Sequence, residues 1–376
     1  MRSTLLTLLA VATGGMLLTR IAGHASAQDA VTDRQPGIMT ALRFGALADA
    51  SGRTQRDIVI LVHGDTIVRV QSASRTLPAG ATVVDMRKYT AIPGLIDVHT
   101  HMTYWRDKHA PMANGPRSRD SVVMVAAENA RRTLETGVTT VRDLGASNYT
   151  DIAMRDAIAR GDMVGPRMFV SGYGLSKLTA APREGTPSAA VRGRIWDTLD
   201  IKAAIAAQVE AGSDWIKMYG STGSFQNVTS TQTFSETEMR VAVEAAHRYG
   251  RPIAIHSYGD SGGRAAIRAG AESVEHPAGV KFAMGSDAVY WMHGENTREL
   301  GWFVKAGMTP AEALATATTN AAVLLRQPNK LGRIAPGYFA DIVAVDGDPL
   351  KNIDVVIEHV VWVMKGGKVV VNRSGK

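Results

Sequence analysis

The 376-residue chain is long enough for one large domain, or a large and a small one, and 45% hydrophobic with 20% charged residues is a globular composition. Ten histidines and no cysteine exclude disulfides and thiolate metal sites, which leaves His, Asp, Glu and Lys as metal ligands. The net charge of +7 is mild and its basic residues are scattered, so it suits solubility or a weakly anionic ligand and gives no nucleic-acid footprint.

Residues 1–27 read as a cleavable secretory signal. Arg2 precedes an apolar run from Leu5 to Leu18, and Ala25-Ser26-Ala27 is the small-x-small pattern of a signal peptidase site. The run is too short to argue for a membrane span. Cleavage would leave Gln28 first and remove Arg2 and Arg20. The expectation is a soluble protein, secreted or periplasmic, with no membrane insertion after cleavage.

From Met39 to Met86 the pattern is short, alternating and turn-rich. DIVILVHGDTIVRVQ predicts two strands joined at His63-Gly64-Asp65, and ATVVDM a third. From Ala91 apolar strand-like runs alternate with Ala-rich helical stretches, several ending in Gly, which is the βα rhythm of a parallel sheet or barrel. NTRELGWFVKAG and TPAEALATATTNAAVLLR predict two further helical segments, and the tail is strand-rich again. The expected organisation is an α/β chain. Residues 28–90 and 327–376 would form the two parts of a small β-domain, with a barrel over 91–326 between them.

Four histidines and one aspartate fall at or near the C-terminal ends of predicted parallel strands: His99, His101, His256, His276 and Asp287. His99 and His101 are two apart, so on a strand both face the same side. The active sites of βα barrels lie at that end of the strands. A lone histidine closing a strand is more often hydrogen-bonded than metal-bound, but four at matching ends point to metal. Lys217 lies within the apolar run WIKMYGS, where an ammonium is costly unless paired. It is either paired to a carboxylate such as Asp214 or deprotonated, and a neutral amine reacts with carbon dioxide to form a carbamate. Tyr104, Arg142, Tyr219, Ser221, Tyr258 and His293 lie just beyond strand ends and are candidates for substrate contact. Arg142 would hold a substrate carboxylate, or else pair internally with Asp143 or another acid.

PGLIDVHTH, the strand lysine, the two later single histidines and GSDA followed by HGENTREL together resemble the amidohydrolase superfamily. LGRIAPGYFADIVAVDGDPL is similar to the segment by which its members return to the small β-domain. The resemblance runs from about residue 39 to the C-terminus. Its nearest branch is that of the imidazolonepropionase-like and secreted dipeptidase or prolidase-like amidohydrolases. The loop SGYGLSKLTAAP departs from the TGGH-like turn of that branch.

The resemblance implies a distorted (β/α)8 TIM-like barrel beside a small β-sandwich, and a two-zinc centre, or another divalent metal in its place. His99, His101 and Asp287 would bind one ion and His256 and His276 the other, with carbamylated Lys217 bridging them. It implies hydrolysis of a C–N amide bond in a dipeptide or N-acyl amino acid, by a metal-bridged hydroxide with Asp287 as general base and then acid. The expected partner is a small amide or peptide, and the chain is compatible with homo-oligomerisation. The alternatives are a cyclic-amide or ester hydrolase of the same superfamily, or a metal-poor, non-catalytic relative.

One stretch conflicts with a complete barrel. In VEHPAGVKFAMGSD only Pro277, Ala278 and Gly279 connect the strand ending at His276 to the one ending at Asp287. A parallel crossover needs about a dozen residues or more. Strand 7 of the barrel and its flanking helices therefore have no counterpart in the chain. A closed barrel with His276 and Asp287 in one site is not expected. A lost segment, an open barrel with Asp287 arriving by an irregular path, or a wall supplied by a second chain would each account for the sequence.

Overall fold

A computed structural model describes residues 39–104, 118–180, 190–223, 231–275 and 282–375. The expected signal, residues 1–27, and the short connection, residues 277–279, lie outside the described residues.

The chain opens with β1 (Thr40–Ala48), β2 (Thr54–His63), β3 (Thr66–Ser72) and β4 (Thr82–Pro93), then enters the parallel wall at β5 (Leu95–Thr100). There follow α1 (Arg119–Glu135), β6 (Val138–Asp143), α2 (Thr150–Arg160), β7 (Arg167–Val170), the two-residue strands β8 (Ser176–Lys177) and β9 (Arg194–Ile195), and α3 (Thr198–Glu210). Next come β10 (Ile216–Tyr219), α4 (Glu236–Arg248), β11 (Ile253–His256), α5 (Asp260–Ala269) and β12 (Ser273–Glu275). The chain ends with α6 (Arg298–Lys305), α7 (Pro310–Thr316), α8 (Thr319–Leu324), β13 (Ile342–Val345), α9 (Asp354–Glu358), β14 (Val360–Lys365) and β15 (Lys368–Asn372).

Both chain ends contribute to one seven-stranded sheet in the order β15-β14-β13-β4-β1-β2-β3. The hairpin expected at His63-Gly64-Asp65 is formed by β2 and β3. Ala91 to Pro93, read from sequence as the start of the first barrel strand, still pair with β13 in this sheet. The chain passes to the wall at Gly94, where a β-carbon would collide with Thr139 and Asp341.

The parallel wall consists of two three-stranded sheets, β5-β6-β7 and β10-β11-β12. They join through Leu175, which pairs with Met218, and through the Val170 carbonyl, which accepts from Asp214 and Trp215. Local chemistry sets the helices that cover the wall. Ser235 and Glu238 form a capping box on α4, and Asp197 caps α3. Gly161 ends α2 in the left-handed conformation. The single helix expected over TPAEALATATTNAAVLLR breaks into α7 and α8. There the Thr316 and Thr318 hydroxyls donate back to the Ala313 and Leu314 carbonyls.

On the far side of β5 lies the segment that carries Asp287. Val98 N–H donates to Met284 O, Asp287 N–H to His99 O and His101 N–H to Ala288 O, at 2.8, 2.8 and 3.0 Å. Thr100 and Ala288 pair in parallel. Among the described residues nothing bridges this segment to β12, so the wall stays open. Between them is a cavity of about 490 Å3, with Val274, Phe282, Phe303 and Leu324 in its lining.

Candidate metal-binding and active site

His99 and His101 close β5 on the same face, 3% and 7% exposed. His99 Nε2 lies 3.4 Å and His101 Nε2 3.3 Å from Asp287 Oδ1. One ligand atom from each of the three residues falls within 4.8 Å of the others. Asp287 sits in the left-handed region at φ 51°, a conformation more accessible to Asp than to most residues. Its side chain is 37% exposed and faces the solvent side of the cluster.

The outer nitrogen of each imidazole has its own acceptor. His101 Nδ1 lies 3.1 Å from the Gly145 carbonyl, and His99 Nδ1 lies 3.1 Å from Glu275 Oε2. These oxygens only accept, so in the neutral ring the proton sits on Nδ1 and the Nε2 lone pair points inward. Burial, followed by the nearby Lys217 charge, lowers the His99 pKa to about 4, so this ring is neutral at pH 7. Two lone pairs and a carboxylate oxygen then converge on one point. That arrangement repels itself unless a cation lies between, and the donor set suits Zn2+ or a similar divalent ion.

Lys217 on β10 is 1% exposed, with Nζ 3.4 Å from His99 Nε2. Burial lowers its pKa to about 8, against the opposing pull of Glu275 and Asp287. Asp214, the partner considered from sequence, instead pairs with Arg155 at 3.0 Å. Burial opposes ionisation of Asp287, but its close contacts with His101 and His99 and the nearby Lys217 ammonium outweigh it. The carboxyl is held well below the usual carboxylate range.

Four of the residues singled out in the sequence, His99, His101, Lys217 and Asp287, thus share one cluster. His256 ends β11, level with Tyr219 on β10 and Glu275 on β12, and stands outside the three-ligand group. Its ring packs against Tyr219 and, at 4.5 Å, Tyr258. His276 lies outside the described residues. Tyr104 stacks on His101 with ring centres 4.7 Å apart. Burial raises the phenol pKa of Tyr104, Tyr219 and Tyr258, so all three remain O–H donors. Ser221 Oγ accepts from Tyr258 N–H at 2.9 Å. His293 is buried behind the cluster, within 3.3 Å of Thr133 Oγ1 and 3.4 Å of the His101 carbonyl. Arg142 is fully buried and bonds Glu275 at 2.9 Å and the Val98 carbonyl at 2.6 Å.

Two residues here were not singled out in the sequence. Glu275 bridges His99 and Arg142. Asp97 accepts from His99 N–H, Ser286 N–H and Oγ, and Asn296 Nδ2, which fastens β5 to the Asp287 segment. Both carried a legible signal. Asp97 has the same parity as His99 and His101 in a strand otherwise buried, and Glu275 is a charge next to His276.

The sequence profile of the Amidohydrolase family matches residues 90–278 and 276–370, two stretches that meet at the short connection. Ochratoxinase of Aspergillus niger is 26% identical over 422 residues, covering 88% of this chain and 86% of the relative. That alignment is longer than the chain itself, so the relative carries segments with no counterpart here. Its crystal structure superposes with a TM-score of 0.74 at 25% identity, covering 90% and 96% of the two chains. A Xaa-Pro dipeptidase with methionine bound in its active site gives a TM-score of 0.78 at 28% identity, covering 88% of this chain and 99% of that one. Imidazolonepropionase of Geobacillus kaustophilus is 44% identical over 68 residues, 18% of this chain and 16% of the relative. The open α/β wall, the cluster at its C-terminal end and the family match together show that this chain belongs to the amidohydrolase family.

Proposed function

We propose that the chain is a metal-dependent hydrolase of amide C–N bonds, acting on dipeptides or N-acyl amino acids. The convergence of the His99 and His101 lone pairs on Asp287 carries this reading. The names of the relatives, a dipeptidase and ochratoxinase, support the substrate class. His99, His101 and Asp287 would hold one divalent ion, and Lys217, carbamylated, with His256 and His276 a second. Bound ions supply Lewis acidity, which polarises a carbonyl and makes water a nucleophile near neutral pH.

The chain's own groups do the rest. Asp287 is ionised at neutral pH and accessible to solvent. Its carboxylate takes a proton from the attacking water and delivers it to the departing amine nitrogen. Tyr219 and Tyr258 are close enough to feel the Asp287 charge, and their hydroxyls are the donors available to a substrate carbonyl. Residues 1–27 would direct export, and the missing strand 7 would reflect a segment lost from a longer ancestor.

The test is metal content by mass spectrometry on the chain from Gln28 onward, eluting as a defined species, followed by amino-acid release from N-acyl amino acids. About two divalent ions per chain and chelator-sensitive release are expected. A folded species that binds no metal and releases nothing across a broad panel would sink the proposal. The second reading, a metal-poor relative that does not turn over, rests on the three-residue connection Pro277 to Gly279.

A further inference from the structure

We infer that Glu275 and Arg142 are positioning residues that fix the tautomer and ring angle of His99, and so the direction of its Nε2 lone pair. The inference rests on the metal-binding reading above.

Three strands meet in this arrangement. Glu275, the last residue of β12, places Oε2 3.1 Å from His99 Nδ1. Its Oε1 accepts from Arg142 Nη2 at 2.9 Å and from Ser273 Oγ. Arg142 Nε donates to the Val98 carbonyl on β5, and its guanidinium lies 4.4 Å from the Trp215 ring centre. Every side chain in the chain Arg142–Glu275–His99 is less than 8% exposed. Glu275 therefore has both oxygens committed, and only Nδ1–H can face it. Nε2 is left as an acceptor 3.4 Å from both Lys217 Nζ and Asp287 Oδ1. A carboxylate behind a ligating imidazole also strengthens the ring as a donor to metal.

Of the two roles read for Arg142 from sequence, this is the internal pair with an acid, and the acid is Glu275. The guanidinium is fully buried, with Nε on the Val98 carbonyl and Nη2 on Glu275. Its charge compensates Glu275 in a place where either alone would be strongly unfavourable.

The experiment compares wild type with Glu275→Gln, which keeps the shape but lets the side-chain amide present either an acceptor or a donor to Nδ1. Zinc affinity is measured by competition with a chromogenic chelator. The His99 tautomer is read in the metal-free protein from ring nitrogen shifts of 15N-histidine-labelled samples, assigned with His99→Asn. Wild type should show His99 protonated on Nδ1. The variant should show a mixed tautomer and bind zinc about 10–100-fold more weakly. Ser273→Ala, which removes one hydrogen bond to Oε1 and leaves the ion pair, should shift both readouts in the same direction by less, and serves if Glu275→Gln does not fold. An unchanged tautomer, with zinc affinity within twofold of wild type, would overturn the inference. If wild type binds no zinc, the functional reading fails, and the tautomer comparison alone decides this one.

Discussion

Asp287 engages His99 twice: its backbone N–H donates to the His99 carbonyl at 2.8 Å, and its Oδ1 lies 3.4 Å from His99 Nε2. Backbone register and side-chain geometry are therefore set by the same neighbour. This is how a segment attached to the wall on one side can still present its carboxylate at the height of the histidines.

Asp287→Asn removes the group proposed to carry a proton between water and the leaving nitrogen. Hydrolysis of a responsive N-acyl amino acid should fall by about 100-fold to 10,000-fold, the range for a general base. The metal-free fold should melt within a few degrees of wild type. Parallel kinetics and thermal unfolding check both parts.

Asp97→Ala leaves Ser286 Oγ, Asn296 Nδ2 and two backbone N–H groups without their buried acceptor. Each unsatisfied buried donor costs about 1–3 kcal/mol. The variant should lose several kcal/mol in urea unfolding. Its amide exchange should rise first over residues 284–288, where three backbone bonds to β5 remain. Uniform loss of protection throughout the chain would contradict the clamp.

Metal removal should lower stability, because an ion that binds only the folded state adds RT ln(1 + [L]/Kd). At zinc one hundred times its dissociation constant the difference is about 2.7 kcal/mol. Thermal unfolding with and without chelator, repeated at increasing zinc, should show a melting temperature that climbs with zinc concentration. A melting temperature indifferent to zinc would show that no resident ion is coupled to the fold.

Glu299 gives a pH dependence of known sign. Burial, with the charges of Asp97 and Glu275, raises its carboxyl pKa from 4.5 to about 8, against the Gly285 N–H that donates to it. Between those two values the folded chain holds a proton that the unfolded chain has released. Stability therefore falls as pH rises through this window and levels off above it. Glu299→Gln should flatten that slope, raising stability at pH 8.5 by about 3–4 kcal/mol relative to its effect at pH 5. Denaturant melts of both proteins at the two pH values measure the difference.

The strand–helix alternation was legible because each βα unit carries its own signals: a buried apolar run, a capped amphipathic helix and a closing glycine, as at α2 with Gly161. His99 and His101 were legible from strand parity. The position of Asp287 was not, because it depends on which strand adopts the segment, and that pairing is long-range. Arg142 illustrates a second limit. Its neighbour Asp143 was the nearest acid in sequence, yet its partner Glu275 lies 133 positions away. Asp97 and Glu275 carry a legible signal, charge in buried strands, but partners unknown from sequence decide whether such a charge is a defect or a device.

The opening beside β12 also changes the mechanics of the site. In a closed barrel the number of strands and their stagger fix the diameter, and every strand is held in place by the hoop. An interrupted hoop has no such constraint, and the distance across it becomes a soft coordinate. Here the span from β5 to β12 is held by the bond from His99 to Glu275, with Arg142 bracing it from β6. The same side chains that aim an imidazole serve as a tie rod across the gap, so the width of the cluster is set by a strut of charge and not by closure of the sheet.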